Sequence, residues 1–116
     1  MGSAKEKGSE GEEIAVRFLK ANGYRILDRN YRTKYGEIDI VAQKKKCIVF
    51  VEVKTRLSNE FGSPAEAVDE RKLFRIASVA NQYIQKERLD DFSFRFEVVS
   101  VTKQNNSWHC EIIPVE

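Results

Sequence analysis

The stretch "GEIDIVAQKKKCIVFVEVKTR", Gly36 to Arg56, decides how this chain folds. Inside it, Cys47 to Val53 is almost continuously apolar, as expected of a central strand covered on both faces. Yet the run carries Glu52 and leads straight into Lys54. Successive side chains of a strand alternate, so Ile48, Phe50, Glu52 and Lys54 share one face and Val49, Val51 and Val53 the other. Burying an unpartnered charge is very costly. Glu52 and Lys54 must therefore be paired, metal-bound or at an exposed strand end.

The preceding "GEIDIVAQ" alternates as well. It predicts Ile38, Ile40 and Ala42 on one face and Glu37, Asp39 and Val41 on the other. Lys44 to Lys46 reads as a turn, and a hairpin closed there brings Asp39 beside Glu52. Two adjacent carboxylates repel unless a proton or a cation lies between them. Hard carboxylate oxygens with open positions are what Mg2+ or Mn2+ takes. Such an ion can bind a phosphodiester oxygen, help deprotonate water and offset charge in the transition state. A nearby lysine ammonium can orient the water. Phosphodiester hydrolysis, with nucleic acid as substrate, fits this set. On spacing alone, an Asp, a Glu and a Lys near strand ends are more often a surface salt bridge.

Upstream, residues 1–9 are small and charged and read as a flexible tail. Ile14, Ala15, Phe18 and Leu19 predict a helix over Glu10 to Asn22, stopped by Gly23. Tyr24 to Arg32 is strand-like but polar enough for a sheet edge. Downstream, Ser63 to Leu89 reads as a long helix with Ser63 as cap, Pro64 in its first position and Glu66 completing a capping box. Leu73, Ile76, Ala77, Ala80, Tyr83 and Ile84 form its apolar stripe, and Arg71, Lys72 and Arg75 its solvated side. Phe92 to Val101 and Ser107 to Ile113 predict two more strands. A long helix between strands is a crossover, so the order of elements predicts an α/β fold with a mixed sheet. At 116 residues the chain is read as one domain, 10–116, after the tail.

The net charge of +2 says little about partners, but its distribution says more. Arg17, Lys20, Arg25, Arg29, Arg32 and Lys34 face a single acid, Asp28, within eighteen residues. Such a stretch either meets phosphates or is a solvated face. Arg29, Arg32 and Lys34 are the candidates for holding a DNA backbone. Cys47 and Cys110 make neither a disulfide framework nor a zinc spacing, and the single His109 excludes a multi-histidine metal site. The polar start and the short apolar runs predict a cytoplasmic protein with no membrane partner.

Five blocks stand in a recognisable order: "GEEIAVRFL" (Gly11 to Leu19), "GYRIL" (Gly23 to Leu27), "RNYR" (Arg29 to Arg32), "GEIDIVA" (Gly36 to Ala42) and "FVEVKTR" (Phe50 to Arg56). Through them the chain resembles the YraN-like family of small bacterial proteins. Asp39, followed on the next strand by Glu52, Val53 and Lys54, is similar to the signature of the PD-(D/E)xK nucleases in their Holliday-junction-resolvase-like branch. The resemblance implies a restriction-endonuclease-like fold, a mixed sheet flanked by helices. It implies a metal-dependent DNA endonuclease directed at branched or single-stranded structures. Asp39 and Glu52 would ligate Mg2+ or Mn2+, the Val53 carbonyl would be a third ligand, and Lys54 would serve the attacking water. Glu12 matches the helix glutamate of that branch, holding metal through water or a second ion; its other reading is a solvated acid at a helix N-terminus. Glu37 is expected to form a salt bridge, and Thr55 and Arg56 to contact phosphate. A homodimer is expected if junctions are the substrate. The alternative is a non-catalytic nucleic-acid-binding module of the same fold, acting in recombination, repair or DNA uptake. Glu97 stands where that family usually has an aspartate.

Overall fold

Apolar residues at helical spacing give α1, Ser3–Ala21, which ends where Gly23 takes a left-handed φ of +88°. The Gly23 N–H donates to the Lys20 carbonyl and the Tyr24 N–H to the Leu19 carbonyl, closing the last turn. Three strands follow: β1 (Arg25–Thr33), β2 (Gly36–Lys44) and β3 (Cys47–Leu57). Helix α2 (Glu70–Glu87) leads to β4 (Ser93–Gln104) and β5 (Ser107–Val115). The computed structural model describes residues 3–57 and 69–115, with side chains from Glu10 onward.

The five strands lie in sequence order in one sheet. Neighbours are antiparallel except β3 and β4, which α2 connects in parallel. Each face carries one helix. Ala15, Val16 and Leu19 of α1 cover Ile40, Ala42, Val49, Val51, Val99 and Val101. Ile76, Val79, Ala80 and Tyr83 of α2 cover Val41, Ile48 and Phe50 on the other side. Ile48, Val49, Phe50 and Val51 are buried, as the apolar run predicts for a strand covered on both faces. This α/β architecture, a five-stranded mixed sheet flanked by two helices, is consistent with the restriction-endonuclease-like fold.

Three local readings change. The first helix begins at Ser3 rather than Glu10, so it takes in residues read as a tail. The second, as described, is capped by Asp69, whose side chain accepts the Lys72 N–H; Ser63, Pro64 and Glu66 lie outside the described residues. Ile38 does not share a face with Ile40 and Ala42: it packs on the α2 side of the sheet and they pack on the α1 side.

Glu97 is a buried acid, 5% exposed, but it is fully partnered. The Tyr24 hydroxyl donates to its Oε1 at 2.8 Å and Arg95 Nε lies 3.0 Å from its Oε2. The carboxylate thereby ties the start of β1 to β4, in keeping with the rule that buried charges need partners.

Gly11 sets the approach of α1 to the sheet. A Cβ at this position would lie 2.0 Å from Thr55 Oγ1. Glycine in a helix interior costs about 1 kcal/mol relative to alanine, so the helix gives up propensity for this close contact. Gly11→Ala is therefore expected to destabilise the fold by about 1–3 kcal/mol, despite the gain in propensity, because Thr55 is β-branched and cannot easily turn away. Urea denaturation reads the effect. A raised midpoint would mean that α1 sits farther from β3 than described.

Candidate functional site

The site forms where two strands part. β2 and β3 pair from Lys44↔Cys47 to Ile40↔Val51 and no farther, whereas β4 follows β3 to Leu57↔Lys103. Beyond Val51 the β2-side edge of β3 has lost its strand partner, and its N–H groups need other acceptors. Asp39 supplies one: the Val53 N–H donates to its Oδ2 at 2.8 Å. Here the alternation of β2 also breaks, since Ile38 and Ile40 flank Asp39 yet pack on opposite faces. Opposite this point, Asn30 of β1 adopts a φ of +54°, a conformation that asparagine tolerates better than most residues.

Charge converges on Asp39. Its carboxyl is pushed up from 3.8 to about 7, first by burial and next by the charge of Glu52. Glu12 and Glu37 add to the rise, and the Val53 N–H opposes it. These carboxylates come from three elements: α1, β2 and β3. Glu52 is half-buried and meets Lys72 of α2, whose Nζ lies 2.5 Å from its Oε1. With its amide nitrogen turned toward the acids, Asn30 donates to Glu12 Oε1 at 3.0 Å and to Glu37 Oε1 at 3.1 Å. Lys54 lies one pleat beyond Glu52, is exposed, and makes no hydrogen bond or ion pair among the described residues.

The basic stretch of β1 is largely engaged by acids. Arg29 Nη1 bonds Glu13 Oε1 at 2.6 Å, and its Nη2 is 3.9 Å from Glu12 Oε2. The Arg29 hydrogen bond and charge hold the Glu13 carboxyl below its usual range. Arg32 pairs with Glu37 at 3.3 Å, the salt bridge expected for Glu37, although Arg32 is 74% exposed. Lys34 Nζ sits 5.3 Å from the centre of the Tyr35 ring. Thr55 packs under Gly11 of α1, and Arg56 is half-buried.

Two residues of this constellation escape the sequence reading. Lys72 is not a solvated charge but the partner of Glu52. Its signal is legible in hindsight: it precedes Ile76 by four residues, which places it at the end of the apolar stripe. Asn30 offers no such signal, because its role depends on a turn of the β1 backbone that no pattern in the strand announces.

The donor set suits a hard divalent cation of low protein coordination. Asp39 and Glu52 offer carboxylate oxygens. An extended residue directs its N–H and C=O to one edge, so the Val53 carbonyl opens toward Asp39 as its N–H does. Among the described residues, no group of three or more His, Cys, Asp or Glu is arranged as a metal cage. Mg2+ commonly keeps several waters and takes only one or two carboxylates. Two carboxylates and a carbonyl therefore fit it, whereas zinc, which favours Cys and His ligands, finds none here.

A family model described as "Uncharacterised protein family UPF0102" matches residues 11–101. A UPF0102 protein of Alkaliphilus oremlandii is 52% identical over 99 residues, 84% of this chain and 85% of that protein. One from Fusobacterium nucleatum is 43% identical over 111 residues, 96% of this chain and 93% of its own. Among solved structures, Pyrococcus furiosus SfsA in complex with Ca2+ aligns with a TM-score of 0.37 at 12% identity, over 97% of this chain and 64% of that one. Among the described residues, no helix is long and apolar enough to cross a membrane.

Proposed function

The chain belongs to the uncharacterised protein family UPF0102, and from the geometry of its carboxylates we propose that it is a metal-dependent endonuclease of the PD-(D/E)xK type that hydrolyses phosphodiester bonds in DNA. One observation carries this reading: Asp39 is held against the unpaired edge of β3, among Glu52, Glu12 and Glu37, with its carboxyl pushed up to about 7. Such a cluster costs a fold stability unless a proton or a cation joins it.

Asp39 and Glu52 would hold Mg2+ or Mn2+, with the Val53 carbonyl as third ligand and Glu12 acting through water. The ion supplies polarisation of a phosphoryl oxygen and a more acidic water. Lys54 orients the attacking water and meets the charge that develops on the phosphate. Lys72 holds the Glu52 carboxylate in place through their ion pair. Asn30 fixes Glu12 and Glu37 toward the same point. The Holliday-junction-resolvase-like branch is the proposed affiliation within the superfamily, and a dimer is the assembly that cutting two strands of a junction requires.

The second reading, a non-catalytic nucleic-acid-binding module, draws on the Lys72–Glu52 pair, which partly neutralises the cluster without any metal. Cleavage of a labelled panel separates the two: four-way junction, flap, single strand, duplex and RNA, each with Mg2+, Mn2+ or chelator. Metal-dependent cutting of a DNA substrate is the expected result. Salt-sensitive binding with no cutting under any metal would leave the binding module.

A further inference from the structure

Among the described residues, the aromatic ring with the greatest exposure lies outside the carboxylate cluster. Phe74 of α2 is 75% exposed, on the side of the helix away from its buried stripe. Arg71 and Arg75 line a groove with it, together with Glu70. Arg75 also lines a second depression, shared with Lys72, Tyr35 and Glu37. Tyr35 is 45% exposed in the turn between β1 and β2, with Lys34 against its ring. The two depressions meet at Arg75, and the second one borders Glu37 and Lys72, the partner of Glu52.

Resting on the nuclease reading, we propose that this face binds an unpaired stretch of nucleic acid, with bases stacked on Phe74 and Tyr35 and phosphates held by Arg71, Arg75 and Lys34. Charge selects the partner. Neither Arg71 nor Arg75 makes an ion pair or hydrogen bond among the described residues, whereas Arg29 and Arg32 of β1 are bound to acids. Two uncommitted cations of α2 thus flank the exposed ring, and cations beside an exposed aromatic ring suit a polyanion that also carries flat apolar surfaces. Single-stranded nucleic acid is such a ligand, because every unpaired base offers a face to a ring. Duplex is not, because its bases are stacked on one another. Phe74 has no polar atom to read a groove edge, so stacking is the contact it can make. The path from Phe74 past Arg75 to Lys72 runs toward Asp39 and Glu52, which places the unpaired strand beside the proposed scissile position.

Fluorescence anisotropy with a labelled oligo-dT and a duplex hairpin tests this, using the whole chain in chelator so that no cleavage intervenes. Phe74→Ala is expected to weaken oligo-dT binding at least about fivefold, the lower end of one base–aromatic stack, and to leave duplex affinity within about twofold. Phe74→Trp should retain or improve the affinity for oligo-dT. Arg71→Ala with Arg75→Ala should weaken binding and reduce its salt slope by about 1.4, the loss of two single-strand phosphate contacts. Unchanged oligo-dT affinity in Phe74→Ala, or an equal loss on the duplex, would overturn the proposal. So would a Phe74→Ala protein that binds as before but changes its sedimentation from dimer to monomer, since the face would then join two copies of the chain. Binding is read without metal, so a failure of the cleavage reading would appear only in the substrate panel and not here.

Discussion

Asp39→Asn is expected to make the protein more stable at pH 8 while abolishing its response to metal. In the folded chain the Asp39 carboxyl titrates at about 7, against 3.8 for the ordinary group. Between those values the folded state binds the proton more tightly than the unfolded state does. This group's contribution is therefore most favourable below pH about 4, and stability falls as pH rises through about 7. Above pH 7 the ionised carboxylate is a net cost, because burial and the charge of Glu52 both disfavour it. Asparagine does not titrate, and its side-chain oxygen can still accept the Val53 N–H. At about 1.4 kcal/mol per unit, discounted for residual solvent contact, Asp39→Asn should gain about 1–3 kcal/mol at pH 8 and almost nothing at pH 4. Saturating Mg2+ or Mn2+ should raise the melting temperature of the natural protein at pH 8, as any ligand of the folded state does, and leave that of Asp39→Asn unmoved. Thermal melts at the two pH values, with and without metal, read all of this. If Asp39→Asn were less stable at pH 8, Asp39 would be an ordinary structural acid and the metal reading would lose its basis.

Lys54→Ala is expected to lower kcat on the preferred substrate by about 10²–10³-fold, the loss of one charged donor aimed at the transition state. Fold and metal binding should survive, because Lys54 is exposed and pairs with nothing among the described residues. Lys54→Arg should restore little, since a planar fork does not replace a compact ammonium beside a water. Single-turnover cleavage separates chemistry from binding: the rate should fall while the concentration needed for half-saturation stays within a few-fold. A variant that cuts normally would remove Lys54 from the mechanism. One that merely binds substrate more weakly would make it a phosphate contact. The contrast with Asp39→Asn is informative, because that change touches metal and stability together whereas Lys54→Ala touches the reaction alone.

The apolar run Cys47 to Val53 determines by itself that β3 is central, since only a strand covered twice can be that apolar. Helical spacing likewise announces that each helix buries one face, and the order of elements announces the parallel crossover between β3 and β4. Asp39 and Glu52 are legible as neighbours because pairing along a hairpin constrains which residues can meet, and the charge of Glu52 does reach Asp39. What the sequence cannot contain is the point at which β2 leaves β3. Strict alternation puts Ile38 with Ile40, but the break at Asp39 separates them, and that same break lets a carboxylate take a backbone N–H that a strand would otherwise have bonded. Nor does composition reveal which charges are already spent. Arg29 and Arg32 read as a basic patch until Glu12, Glu13 and Glu37 are brought against them, and Lys72 reads as solvated until α2 packs it beside Glu52. Local pattern fixes which face a residue occupies. Only the packing of one element on another decides which charges meet, because the partners come from segments far apart in the chain.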